Sequence, residues 1–130
     1  MTVANWCVLA ACVLPAMTIG LAKIHSSKLA RNAGRYDNQH PRAWALRLSG
    51  WQQRANAAQQ NGFEALPLFI AAVLLAQQAH ADQGRIDTLA LVFIALRVLY
   101  AAVYLMNLGT LRTLIWTAAL AANLAIFVMA

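Results

Sequence analysis

Residues 61–67 read Asn61-Gly62-Phe63-Glu64-Ala65-Leu66-Pro67, and from Ala65 to Ala76 the chain runs twelve residues without a polar side chain. At about 1.5 Å per residue such a run makes roughly 18 Å of helix, against the roughly 30 Å of a bilayer's hydrocarbon core. Gln77, Gln78, His80 and Asp82 close it at the downstream end, so the missing turns come from upstream and draw Asn61 and Glu64 into the membrane. A carboxylate at that depth is costly unless it is paired, hydrated or neutral, and it marks a functional site by default. Glu64 is also one of only four acidic residues in the chain.

Composition agrees with a membrane reading. Of 130 residues, 62% are hydrophobic and 11% charged, with a mean hydropathy of +0.57, whereas about a quarter of a soluble domain is charged. The expected fold is all-α: an integral membrane four-helix bundle forming one domain over 1–130. Its helices are expected at about 3–22, 54–78, 88–106 and 112–130, with a polar loop over 23–53. A net charge of +6 would suggest nucleic acid on a soluble chain. Its distribution says otherwise. Lys23, Lys28, Arg31, Arg35, Arg42, Arg47 and Arg54 all lie between the first two apolar segments and Arg112 just before the fourth, while the other side has Arg85 beside Asp82 and Asp87. The basic loop is therefore read as cytoplasmic, with both termini on the opposite side. Bilayer lipid is the expected partner and nucleic acid is not.

The first apolar segment lacks the preceding Lys or Arg and the small-residue cleavage site of a signal peptide. Cys7 and Cys12, five apart on one helix, are too distant to bridge. No metal site is expected, since no Cys/His cluster has ligand spacing, and neither a Gly-rich phosphate loop nor a Ser with an obvious base is present.

Arg54, Asn61 and Glu64, spaced seven and three apart, share one face of the second helix, while Ala58 and Gly62 form a small-xxx-small pair suited to close helix contact. Pro67 cannot donate to the carbonyl of Phe63, which leaves that acceptor free one turn from Glu64. The third helix carries a single charge near its middle, Arg97. An arginine there costs about 2.5–3.5 kcal/mol and needs a partner or water. Counted from boundaries at Arg54 and Asn107, Glu64 and Arg97 each lie ten residues in, about 15 Å deep. Asn61 and Tyr100 lie seven in, with Tyr104 nearer the surface. Two level polar stripes therefore face the cytoplasmic half of the membrane, and Arg112 stands where they open.

The run Arg54 to Leu75, RANAAQQNGFEALPLFIAAVLL, resembles the second-helix signature of the MAPEG family, the membrane-associated proteins of eicosanoid and glutathione metabolism. Its Asn-x-x-Glu-x-x-Pro core is present as Asn61, Glu64 and Pro67. The third-helix Arg, aromatic and Tyr are present as Arg97, Tyr100 and Tyr104, followed by Arg112 at the head of the fourth helix. The resemblance, to a small bacterial-type member, implies a homotrimer in a bacterial inner membrane with glutathione between neighbouring subunits. Carried over, Arg112 would stabilise the glutathione thiolate, with Arg54, Asn61, Glu64, Arg97, Tyr100 and Tyr104 binding the tripeptide. A hydrophobic small molecule would arrive through the lipid. Ala57 and Gln60 occupy positions where family enzymes often carry a further basic residue. The activity so implied is a glutathione-dependent transferase or peroxidase. The alternatives are a non-catalytic lipid-binding or scaffold protein, held by a Glu64–Arg97 ion pair, and in third place a small proton-coupled exporter.

Overall fold

Val3 to Ser27 form α1, Pro41 to Leu46 the short α2, Gly50 to Gln78 α3, Gln83 to Leu105 α4 and Gly109 to Phe127 α5, with one 3-10 turn at Arg31 to Ala33 and no strand. These assignments come from a computed structural model that describes residues 1–130. The chain is all-α, and α1, α4 and α5 are long and apolar enough to cross a membrane. Although α3 is the longest helix at 29 residues, its apolar stretch is confined to Ala65–Ala76.

Helix ends differ from the sequence expectation in ways that local chemistry explains. α1 continues past Ala22 to Ser27, because the charge of Lys23 does not by itself end a helix. Arg54 likewise lies inside α3, which begins at Gly50, and the expected 23–53 loop is correspondingly shorter and contains α2. α4 starts at Gln83, ahead of the expected 88, since Asp82 Oδ1 accepts from the amide of Arg85 at 2.8 Å and caps it. α5 occupies 109–127 where 112–130 was expected.

Two helix C-termini close in the same way. His80 and Asn107 adopt φ of +56° and +63°. Behind them the amides of Ala81 and Leu108 donate back to the carbonyls of Ala76 and Val103, both at 3.1 Å. This six-to-one bond with a left-handed residue before it is the Schellman arrangement, here built without glycine. The second of these turns fixes where α5, and with it Arg112, departs from α4.

Only 26 of the 130 residues are buried, so the isolated chain leaves most of its apolar surface uncovered, as a lipid-facing protein does. On α1, Trp6, Leu9, Val13, Met17, Leu21 and Ile24 are all exposed at helical spacing. The main core lies toward the termini: Ala4, Cys7 and Ala11 of α1 meet Phe69 and Val73 of α3 and Phe93 of α4. Phe69 and Phe93 stack at 4.1 Å. A second, smaller core seats Trp44 of α2 against Ile19, Ala22 and Ala55. There the Trp44 indole N–H donates to the carbonyl of Gly34 at 3.3 Å and its ring meets Tyr36 edge-on, so the basic loop is folded down onto the bundle. The expected close approach at Gly62 is to α1, where a Cβ on Gly62 would lie 2.6 Å from Pro15 Cγ. Cys7 and Cys12 are both free.

Candidate functional site

Asn61 and Glu64 sit three apart on α3, so their side chains meet, and the amide Nδ2 of Asn61 lies 3.4 Å from Glu64 Oε2. Across the interface the buried Arg97 of α4 donates from Nη1 to Asn61 Oδ1 at 2.9 Å. The guanidinium of Arg97 also lies 4.6 Å from the centre of the Tyr100 ring. Tyr100 meets Tyr104 edge-on at 5.6 Å, and Arg112 of α5 lies 4.4 Å from the Tyr104 ring. Each cation–π contact contributes about 0.5–1 kcal/mol at exposed sites and about 2 or more where water is excluded. Six of the seven residues singled out in the sequence thus form one connected series, Glu64–Asn61–Arg97–Tyr100–Tyr104–Arg112, across three helices.

Arg54 stands apart from this series. Its Nε donates to the carbonyl of Leu105 at 2.9 Å, so it serves the C-terminus of α4, where free carbonyls and the helix dipole favour a cation.

The expected direct contact between Glu64 and Arg97 is absent. The one acid–base pair within 4.0 Å in the protein is Asp37–His40, in the basic loop. The flexible Arg97 side chain carries its head to the level of Asn61, and the amide of Asn61 stands between the two charges. A scaffold that relied on a Glu64–Arg97 ion pair therefore lacks its central contact.

A cavity of about 150 Å³ opens beside Asn61, Glu64 and Arg97, walled on the far side by Trp116, Leu120 and Asn123 of α5. Sequence reading missed two of its walls. Trp116 reads as an interfacial anchor and is half exposed beside the cavity. Asn123 is 2% exposed, and its Oδ1 has no hydrogen-bond partner. Its signal in the sequence is a lone amide in the otherwise apolar run Ala118–Ala130. On its α1 side Arg97 borders a much smaller space of about 20 Å³, lined by Pro15, Gly62 and Tyr100, with room for about one water.

Glu64 and its neighbour Phe63 are exposed on the single chain. Side by side on the outer face of α3, a carboxylate and an aromatic ring form a face that lipid alone would not satisfy. Thiol, thiolate or carboxylate ligands would find Arg97 and Arg112 as cations here, and amine or amide donors would find Glu64 as an acceptor.

A comparison with family models matches the description "MAPEG family" over residues 3–130. No curated protein and no solved structure matches the chain.

Proposed function

Because the chain belongs to the MAPEG family over residues 3–130, we propose that it is a membrane-bound glutathione-dependent transferase or peroxidase acting on hydrophobic electrophiles. The observation that carries this reading is the unbroken series from Glu64 to Arg112. It supplies acceptors at one end and two guanidinium groups along a polar path, within a bundle whose outer surface is apolar. Glutathione would lie along that path, held by Asn61, Glu64, Arg97, Tyr100 and Tyr104, with Arg54 at its cytoplasmic mouth. Its sulfur would sit at Arg112, where the guanidinium favours thiolate over thiol at neutral pH. The thiolate is the nucleophile. In conjugation it forms a carbon–sulfur bond to the electrophile, whose leaving group departs with the bonding electrons.

The working unit in this reading is a homotrimer with four spanning helices per subunit, both termini outside the cytoplasm and the whole in a bacterial inner membrane. The exposure of Glu64 and Phe63 on one chain supports a second copy covering that face. The second substrate, a hydrophobic small molecule, would reach Arg112 from the lipid.

Isothermal titration of glutathione into the detergent-purified protein tests the reading, with Glu64→Gln and Arg112→Ala in parallel. Saturable binding that weakens in Glu64→Gln is expected, together with loss of conjugation in Arg112→Ala. Absence of saturable binding at millimolar glutathione, or unchanged conjugation rates in Arg112→Ala, would overturn it.

A further inference from the structure

We infer that the folded loop between α1 and α3 carries a binding site of its own, a cleft walled by Arg31, Arg35 and Arg47 that takes the phosphate of an anionic phospholipid. The cleft shares no residue with the series from Glu64 to Arg112, so it stands or falls independently of the glutathione reading.

Charge comes first. Between Lys23 and Ser49 the chain carries six Lys or Arg and a single acid, Asp37. That acid is already engaged: its Oδ1 accepts from the amides of Gln39 and His40 at 2.9 and 3.3 Å, and its Oδ2 lies 3.1 Å from His40 Nδ1. Arg54 and Arg97 each donate to a protein acceptor, but Arg31, Arg35 and Arg47 donate to none and have no carboxylate within 4.0 Å. Yet all three line one open cleft of about 490 Å³, together with Tyr36, Asn38 and Gln39. Guanidinium groups offer five N–H donors each in a fork that matches phosphate, and like charges gathered without a counter-ion call for an anion.

The wall is built and not a floating loop. Arg31 lies in the 3-10 turn, Arg35 just after it and Arg47 at the end of α2. Gly34 turns the chain between the first two with a φ of +86°, and its carbonyl accepts the indole N–H of the buried Trp44. Tyr36 packs edge-on against that indole, and Lys23 Nζ lies 5.0 Å from the centre of the Tyr36 ring.

Apolar neighbours point to a lipid as the source of the phosphate. The cleft begins four residues beyond the end of α1, a helix long and apolar enough to cross a membrane. A second opening of about 430 Å³ shares the three arginines and adds Leu29 and Leu48. Leu46 is 88% exposed and directly precedes Arg47. Free phosphate would answer the arginines and leave Leu46 in water, whereas a phospholipid brings an acyl chain beside its phosphate. A headgroup with its own ammonium would add a like charge to the wall, so an anionic lipid is favoured over a zwitterionic one.

Native mass spectrometry of the detergent-purified full chain, titrated with phosphatidylglycerol or phosphatidylcholine, tests this. Saturable retention of phosphatidylglycerol is expected, about tenfold or more tighter than that of phosphatidylcholine and weakened about tenfold in each of Arg31→Gln, Arg35→Gln and Arg47→Gln. Arg42→Gln removes the same charge from the same loop but lies outside the cleft, and it should retain lipid as wild type does. Leu46→Gln should weaken phosphatidylglycerol as well. Equal losses in Arg42→Gln and Arg47→Gln would reduce the cleft to diffuse attraction and overturn the inference, and so would equal retention of the two lipids by wild type. Unchanged phosphatidylglycerol retention in Leu46→Gln, with inorganic phosphate alone binding as tightly in calorimetry, would assign the cleft to free phosphate and overturn the lipid.

Discussion

Gly62→Ala should destabilise the bundle, and it should do so only while residue 15 is proline. A Cβ on Gly62 would lie 2.6 Å from Pro15 Cγ and 3.1 Å from Pro15 Cβ, whereas unstrained carbons sit about 3.5–4.0 Å apart. The proline ring is closed and cannot swing aside, so α1 and α3 must separate by several tenths of an ångström. Overpacking of that kind costs about 1–3 kcal/mol. Against it stands about 1 kcal/mol from the better helix propensity of alanine, which leaves a net loss of up to about 2 kcal/mol. Pro15→Ala removes the 2.6 Å contact and leaves those at 3.1 Å and 3.7 Å, the tighter of which a small adjustment relieves. In that background Gly62→Ala should be neutral or stabilising by up to about 1 kcal/mol. Equilibrium unfolding in mixed micelles, followed by tryptophan fluorescence for the four proteins of the cycle, gives the coupling directly; about 1–3 kcal/mol is expected. The same Gly62→Ala effect in both backgrounds would refute the contact as the reason for glycine at this position.

Three further perturbations follow from particular contacts. Asp87 Oδ1 accepts from the Ala4 amide in the first turn of α1 and from Gln83 Nε2, both at 2.8 Å, so Asp87→Ala should lower unfolding stability by about 1–2 kcal/mol, and Asp87→Asn should recover most of the loss. His80→Gly should raise it by about 1 kcal/mol in the same assay, since a left-handed residue with a Cβ carries that strain. In the exposed loop the Gln39 amide, and after it the His40 side chain, hold Asp37 below its ordinary value of 3.8. A depressed carboxyl lends order that is complete above the unfolded value and is lost as pH falls through the folded one. Protection of the Gln39 and His40 amides, taken relative to the unstructured exchange rate at the same pH, should therefore fall below about pH 3.8, a dependence that Asp37→Asn should lack.

How far the sequence reaches into this molecule follows from the length scale of each cue. Fold class and the two polar stripes are legible because helical spacing alone places Asn61 with Glu64, and Arg97 with Tyr100 and Tyr104. Depth counted from the boundaries then brings the stripes to the same level. What spacing does not give is side-chain reach. Glu64 and Arg97 lie at equal depth by residue count, yet the arginine stem carries its charge to Asn61, and an expected ion pair becomes an amide-bridged series. Helix ends are less legible for a related reason: a charge such as Lys23 or Arg54 does not stop a helix, whereas caps such as Asp82 and left-handed turns such as Asn107 do. Asn123 escaped because a single amide on an alanine-rich helix gains meaning only once the facing helix is known. With Glu64 and Arg97 opposite, its side chain closes the α5 wall of the cavity.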